Sequence, residues 1–460
     1  MLDVSIVANR EILTAQIAPQ KMFVMLKLRP NRSISQSTPA TNFVFLIDTS
    51  GSMYEVVSGE TNPTGKVYQI DGKTYQQVKG GKSKMDLVVD SLKTLVDSGQ
   101  LQPSDRIAIV KFDDQSATLI PLTSAIEKDK LINAIESLKK FSGGTYLGKG
   151  MQESLQLLSS QTMSSRRVLI FTDGMTFDEE FSQELARKFA SENIPITALG
   201  VGNYQEDLLI YLGEVTGGRL FHITTEENNS ELAISIDKLP QKIIEEFSQA
   251  QQDVVTNLHL HCKTVQGVEL TRIARVYPEP AEFNLIEQPY SIGNASANDE
   301  TIFILEFNIT NRPAAKVRIA QLGLTYDVPG KNQKGEFPPQ NLVVQFVNGE
   351  VDVSFNEEVM GYLQQLNTVG LIKQATQLAQ NDPAKATELL EAAKRLTLRI
   401  GNETMRKTIS LAQDELRKTR KISDATRKTI KMGSRGKTIL IDEQQDDSLS
   451  EETIRQISET

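Results

Sequence analysis

The 460-residue chain has one cysteine, Cys262, and only three histidines. A single cysteine excludes an intramolecular disulfide and fits a reducing compartment, so a cytoplasmic location is expected. No stretch reaches the roughly 20 consecutive apolar residues of a membrane-spanning helix. The opening MLDVSIVANREIL carries an acid at position 3 where a secretory signal has basic then apolar residues. Basic charge is also in short supply. Against 59 acids stand 50 Lys and Arg, a net charge of −9 that argues against general affinity for nucleic acid. No nucleotide loop is present either, because GGTYLGKG at 143–150 lacks the spacing and the Lys-Ser/Thr end. None of His222, His259 and His261 lies in a motif, so a serine nucleophile would have no base in reach.

What is present falls into blocks. The hydrophobic fraction of 39% and charged fraction of 24% are ordinary for a globular chain, and the length calls for two or three domains. Two extended runs, DVSIVA and MFVMLKL, precede the Pro/Ser/Thr-rich RPNRSISQSTPATN, which reads as a linker. From Asn42 to about Ser248 the apolar strands FVFLID, RIAIVKF, RRVLIFTD and PITALGVG follow one another, with RLFHI as a fifth or edge member. Amphipathic helices are expected between them at about 85–99, 127–140, 147–161, 178–192, 205–215 and 230–248. This order predicts an α/β domain over 41–250, a parallel sheet covered on both faces. Residues 54–84 interrupt it with two alternating runs joined by Asp71-Gly72, a strong hairpin signal.

From 251 to 355 short strands alternate with turns, the pattern of a β-sandwich. The strands of 1–40 are expected to join it, leaving the α/β domain inserted in or next to the sandwich. A helical bundle is expected over 356–422, with helices at 356–380, 383–400 and 402–420. Asp382-Pro383 caps and starts one of them, and Gly401-Asn402 stops one and starts the next. Residues 423–460 lack apolar periodicity and read as a flexible, disordered tail. Residues 385–437 carry 15 Lys/Arg against 6 acids, and 438–460 carry 1 against 7, a pattern suited to regulation.

The chemistry gathers where apolar strands end. NFVFLIDTSGSM places Asp48, Ser50 and Ser52 in alternation beyond a buried strand. Thr145 follows two glycines at the start of a helix, and Asp173 ends LIFTD. In an open parallel sheet, functional groups collect beyond the carboxyl ends of the strands. Two carboxylates and three hydroxyls with no soft donor suit a hard cation, Mg²⁺ above all, with Mn²⁺ or Ca²⁺ as alternatives.

DTSGSM, GGT and FTDGM resemble the metal-ion-dependent adhesion site of von Willebrand factor A domains, and the resemblance covers roughly residues 42–248. It implies a Rossmann-like α/β fold and a divalent ion held by Asp48, Ser50, Ser52, Thr145 and Asp173. It also implies protein binding rather than catalysis, with a partner protein supplying an Asp or Glu to the ion. The flanking segments resemble intracellular prokaryotic members more than adhesins. Two alternatives are a subunit of a chelatase-like metal-insertion complex and a metal-dependent hydrolase with Asp113, Asp114 or Asp178 as base. Self-association is a further expectation, because tail acids such as Glu443 or Asp446 could reach an ion in cis or trans.

Four threonines directly follow Lys late in the chain, and Thr429 and Thr438 fall in the expected tail. Phosphorylation there would add about −1.5 to −2 charge beside a basic cluster. Some bacterial proteins resembling this one pair a forkhead-associated domain with a Ser/Thr kinase and phosphatase. Those three are accordingly the candidate regulatory partners.

Overall fold

In the computed structural model, alternate residues of the strand Thr41–Asp48 feed two separate cores. Phe43, Phe45 and Ile47 cluster with Ile107, Ile109, Leu169 and Phe171 and with apolar faces of Lys84–Asp97, Lys128–Ser137 and Leu239–Gln251. Val44 and Leu46 cluster instead with Ala108, Val110, Val168 and Ile170 and with Leu147–Ser159, Glu179–Ser191 and Glu206–Thr216. A strand apolar in both phases of its period-2 pattern is one covered on both faces. The structure describes residues 1–441 other than 18, 71–72, 225–233, 350–353, 437 and 439.

These strands lie in a seven-stranded sheet. Its order is Ser116–Ser124, Arg106–Phe112, Thr41–Asp48, Ser165–Thr172, Ile196–Val201, Leu220–Thr224 and Ile234–Ser235. Neighbours pair in parallel except at Ser116–Ser124, which runs antiparallel to Arg106–Phe112. Sequence pattern does not announce that strand, since Pro121 and two register shifts break its alternation. An edge strand tolerates a residue without an N–H. The final helix begins at Leu239 rather than near 230, with Pro240 in its first turn, where a missing donor costs nothing.

Between Thr41–Asp48 and its next parallel neighbour the chain makes a long excursion. Asn62–Ile70 pairs antiparallel with Lys73–Lys79, and the joining residues Asp71 and Gly72 lie outside the described residues. Val56–Ser58 pairs with Lys82–Ser83 below the hairpin. At the root, Lys84 N donates to Glu55 O at 3.1 Å.

On the helix Leu239–Gln251, Glu246 is fully buried among cations. Arg219 Nη2 donates to its two oxygens at 3.0 and 3.2 Å, and Lys242 Nζ and Arg167 Nη1 lie 3.3 and 3.9 Å away. Burial pushes this carboxyl up, but the three cations outweigh it and hold it below its ordinary range.

The chain divides into two compact units. One is Ser37–Thr256 with Val328–Asn332, the α/β unit just described. The other is Met1–Gln36, Asn257–Asp327 and Gln333–Thr460. In that second unit one five-stranded sheet has the order Leu2–Ala8, Gln20–Pro30, Thr301–Ile309, Val268–Tyr277 and Ala281–Phe283. Another has the order Tyr290–Ala295, Val255–Thr264, Ala315–Val328, Gln333–Val347 and Ile12–Thr14. Glu357–Leu378 lays Val359, Met360, Tyr362 and Leu363 against Phe23, Met25, Ile302 and Ile304. Its far half shares a core with Pro383–Arg399 and Glu403–Thr419, built on Ile372, Leu390, Ile409 and Leu416.

A correction falls at residue 423. The expected flexible tail instead opens with a helix, Asp424–Ser434, capped by Ser423 and anchored by fully buried Ile430. Thr429 lies on that helix and is half-buried. Thr438 is tied down too: its N–H donates to Pro278 O at 2.8 Å, and its hydroxyl lies 2.6 Å from Val276 O. The threonines placed in the tail are thus held in the fold, whereas residues 442–460, with Glu443 and Asp446, lie outside the described residues. Among the described residues no helix is long and apolar enough to cross a membrane.

Candidate metal centre

Parallel register does the first work of assembly. Ile47 pairs with Phe171, so the next residues on each strand, Asp48 and Thr172, lie side by side and Asp173 follows at the sheet's carboxyl edge. Thr172 Oγ1 donates to Asp48 Oδ2 at 2.6 Å, and the Ser50 N–H donates to Asp48 Oδ1 at 2.8 Å. Ser50 Oγ and Ser52 Oγ are 3.2 Å apart, and Ser52 Oγ donates to Asp173 Oδ1 at 2.7 Å. This chain of contacts joins Asp48, Ser50, Ser52 and Asp173 without a gap.

Thr145 comes from a third loop. Its carbonyl accepts from the Phe177 N–H at 2.9 Å, and its Oγ1 would lie 3.4 Å from a Cβ on Gly174. Gly51 N donates to Gly143 O at 3.1 Å and locks this loop to the serine turn. The glycine pair is needed for close approach, since a Cβ at Gly143 or Gly144 would lie 2.6 or 2.7 Å from the Asp114 carboxylate. All five sequence-selected residues therefore meet at one edge of the sheet.

The set is oxygen-only and compact, which fits a hard divalent ion with few protein ligands. Asp48 is fully buried, and burial together with the Asp173 charge pushes its carboxyl up to about 7. The cost of ionising Asp48 beside the Asp173 charge is one that added positive charge offsets. Among the described residues no group of three His, Cys, Asp or Glu forms a conventional metal cluster. Hydroxyls would have to complete this one.

Comparison with known proteins decides the domain: residues 42–235 match the model of the von Willebrand factor type A domain. Those residues are a von Willebrand factor type A domain. Residues 357–440 match a second model, the Sll0103-like, C-terminal alpha-helical domain. Escherichia coli (strain K12) YfbK is 31% identical over 199 residues, which cover 42% of this chain and 30% of YfbK. The human collagen alpha-1(XXI) chain is 27% identical over 153 residues, 33% of this chain and 15% of the collagen. The chain thus spans under a third of either curated relative. Among solved structures, the von Willebrand factor type A protein from Catenulispora acidiphila has a TM-score of 0.73 at 14% identity, covering 95% of this chain and 97% of that one. The ArnB paralog VWA2 from Sulfolobus acidocaldarius has a TM-score of 0.59 at 16% identity, over 94% and 98%. Both likenesses show the fold.

Sequence reasoning missed one member of the A domain's site, Lys84. Its ammonium, on a side chain 7% exposed, bonds Asp173 Oδ2 at 2.7 Å and Glu55 Oε2 at 2.5 Å. Burial works against that charge, but Asp173 and Glu55 outweigh it and hold Lys84 above its ordinary value. Its only sequence signal is its place beside Ser83, which caps the helix it begins.

That cap gives a prediction. Asp86 accepts from the Ser83 N–H at 2.9 Å and from Lys139 Nζ at 2.5 Å, and its N–H donates to Ser83 Oγ at 3.1 Å. Partial burial raises the Asp86 carboxyl, but the Lys139 and Ser83 bonds win and hold it at about 2. A carboxyl lowered on folding stabilises above its unfolded value near 4, and that gain is lost as pH falls through about 2. Asp86→Ala is expected to cost about 1 kcal/mol at pH 7. Urea titrations should show the difference from wild type vanishing toward pH 2.

Asp113 and Asp178, named above as candidate bases, are engaged in structure. Asp113 takes Lys111 Nζ on both oxygens at 2.8 Å and Thr49 Oγ1 at 2.9 Å. Asp178 Oδ1 accepts from Thr176 Oγ1 at 2.6 Å and from the Gly148 N–H at 3.1 Å. Beside the site Met175 and Phe177 are 61% and 66% exposed, and Tyr146 packs on Phe177 with centroids 5.4 Å apart. The histidines serve elsewhere: His259 Nδ1 is 2.6 Å from Asn257 O, His261 Nε2 is 3.2 Å from Thr325 Oγ1, and His222 Nδ1 is 3.1 Å from Tyr204 OH.

Proposed function

We propose that this chain is a non-enzymatic scaffold whose A domain recruits an acidic side chain of a partner protein through a divalent cation, Mg²⁺ first. The observation that carries the reading is the unbroken contact chain from Asp48 through Ser50 and Ser52 to Asp173, with Thr145 closing against Gly174. An ion bound there supplies an open coordination position for a carboxylate. The chain's own part is to hold the donors still: Thr172 and the Ser50 N–H fix both Asp48 oxygens, and Ser52 fixes one of Asp173. Exposed Met175 and Phe177 give a partner apolar surface beside that position.

The enzymatic alternatives draw less support. Asp113 already serves Lys111 with both oxygens, which leaves it poorly suited to act as a base toward bound water. A cytoplasmic setting and threonine modification belong to the proposal as well, the latter with a structural condition. Thr438 must leave the carbonyls of Val276 and Pro278 before a kinase can reach its hydroxyl.

The test is capture of partners from the source cells on immobilised full chain, followed by mass spectrometry. Retention of a specific protein should fall at least tenfold with EDTA and with Asp48→Ala, and return when Mg²⁺ is restored to wild type. Retention indifferent to both changes would assign the five residues a purely structural role.

A further inference from the structure

Lys84 is placed in a way that helix formation does not explain. It is the first residue of Lys84–Asp97, where the helix dipole disfavours a cation. Its side chain is nonetheless buried and directed at Asp173, whose own side chain is fully buried. The second contact, Glu55, has a side chain 51% exposed and faces solvent. Ser52 takes the other Asp173 oxygen, so Lys84 holds the one that Ser52 leaves.

An ammonium and a divalent ion that draw on the same buried carboxylate repel each other strongly, because little water screens them. We propose that Lys84 is a built-in competitor for the ion. It neutralises Asp173 in the ion-free protein, lowers affinity for the divalent cation, and releases Asp173 while keeping its Glu55 bond when an ion binds. This inference rests on the ion-binding reading above. It adds a coupling, because Glu55 and Lys84 are also the two ends of the 56–83 excursion, joined by the Lys84 N to Glu55 O bond at 3.1 Å. Ion occupancy is therefore felt at the root of the hairpin as the partial transfer of one ion pair from Asp173 to Glu55.

Isothermal titration of the full chain with Mn²⁺ and Mg²⁺ tests this in wild type, Lys84→Met, Glu55→Gln and Asp48→Ala. Lys84→Met is expected to bind Mn²⁺ at least tenfold more tightly than wild type, since a nearby like charge is gone. Glu55→Gln removes the exposed refuge of the ammonium and should weaken binding about threefold or more. Asp48→Ala should lose binding. A merely structural lysine would leave affinity unchanged or reduced on replacement. Equal or weaker binding by Lys84→Met, with wild type binding and Asp48→Ala not, overturns the competitor role and leaves the ion site standing. If Lys84→Met does not fold, unchanged affinity in Glu55→Gln overturns it instead. Absence of binding by wild type and Lys84→Met alike overturns the ion site and the inference together.

Discussion

Glu246→Ala is expected to lower the melting temperature of the α/β unit by roughly 10 °C. The carboxylate is fully buried with Arg219, Lys242 and Arg167 around it. Removing it takes away the carboxylate that three cations share, leaving Arg167 with Asp253 and Lys242 with the exposed Glu245, and breaking such a buried pairing typically costs about 3–5 kcal/mol. A domain of some 200 residues translates each kcal/mol into about 2–4 °C. The control is Glu245→Ala, whose side chain is 52% exposed and bonds only Lys242 at 3.2 Å among the ion pairs described. It should fall within about 0.5 kcal/mol of wild type. Thermal scans by circular dichroism separate the two, and equal melting temperatures would refute the hub role of Glu246.

Gly218→Ala should be comparably severe for a different reason. A Cβ at this position would lie 2.1 Å from Ile196 O and 2.5 Å from Ile196 C, both backbone atoms of a central strand. No rotamer change relieves a clash with backbone, and the next residue's carbonyl receives the Ala198 N–H at 2.8 Å. Either the strand pairing or the turn must move, at an expected cost of about 3 kcal/mol or more. The adjacent Gly217 is the comparison, because its φ of 74° makes alanine costly through backbone strain alone, about 1–2 kcal/mol. Urea midpoints of the two variants should therefore differ, with Gly218→Ala the lower. A midpoint for Gly218→Ala at or above that of Gly217→Ala would contradict the close approach.

The site was legible to the extent that its donors sit at fixed ends of apolar runs. Asp48 closes one strand and Asp173 directly follows another, so once the two strands pair in parallel both carboxylates fall at the same edge of the sheet. Thr145 was legible through its glycines, which also permit the close approach of Asp114. Lys84 was hidden because nothing local distinguishes it from any lysine at a helix start. Its partner Asp173 lies 89 residues away in sequence. The strand Ser116–Ser124 was hidden by its proline and its shifted register. The helix Asp424–Ser434 was hidden by charge: it is short and rich in Lys and Arg, and its order comes from burying Ile430 and Met432 rather than from a sustained apolar stripe. Local pattern thus reports strands and their ends well, and reports poorly whatever distant partners stabilise.

The tied root of the 56–83 excursion has a consequence for how the molecule can change over time. Loop closure costs grow only slowly with loop length, and here the ends are already held 3.1 Å apart by a backbone bond. The sheet therefore experiences the excursion as a short, closed turn whatever its length or content. Sequence can be gained, lost or rewritten between residues 59 and 81 without re-registering Thr41–Asp48 against Arg106–Phe112. Such a position is an open port in the architecture, where descendants of this chain can exchange one recognition element for another while the edge bearing Asp48 stays fixed.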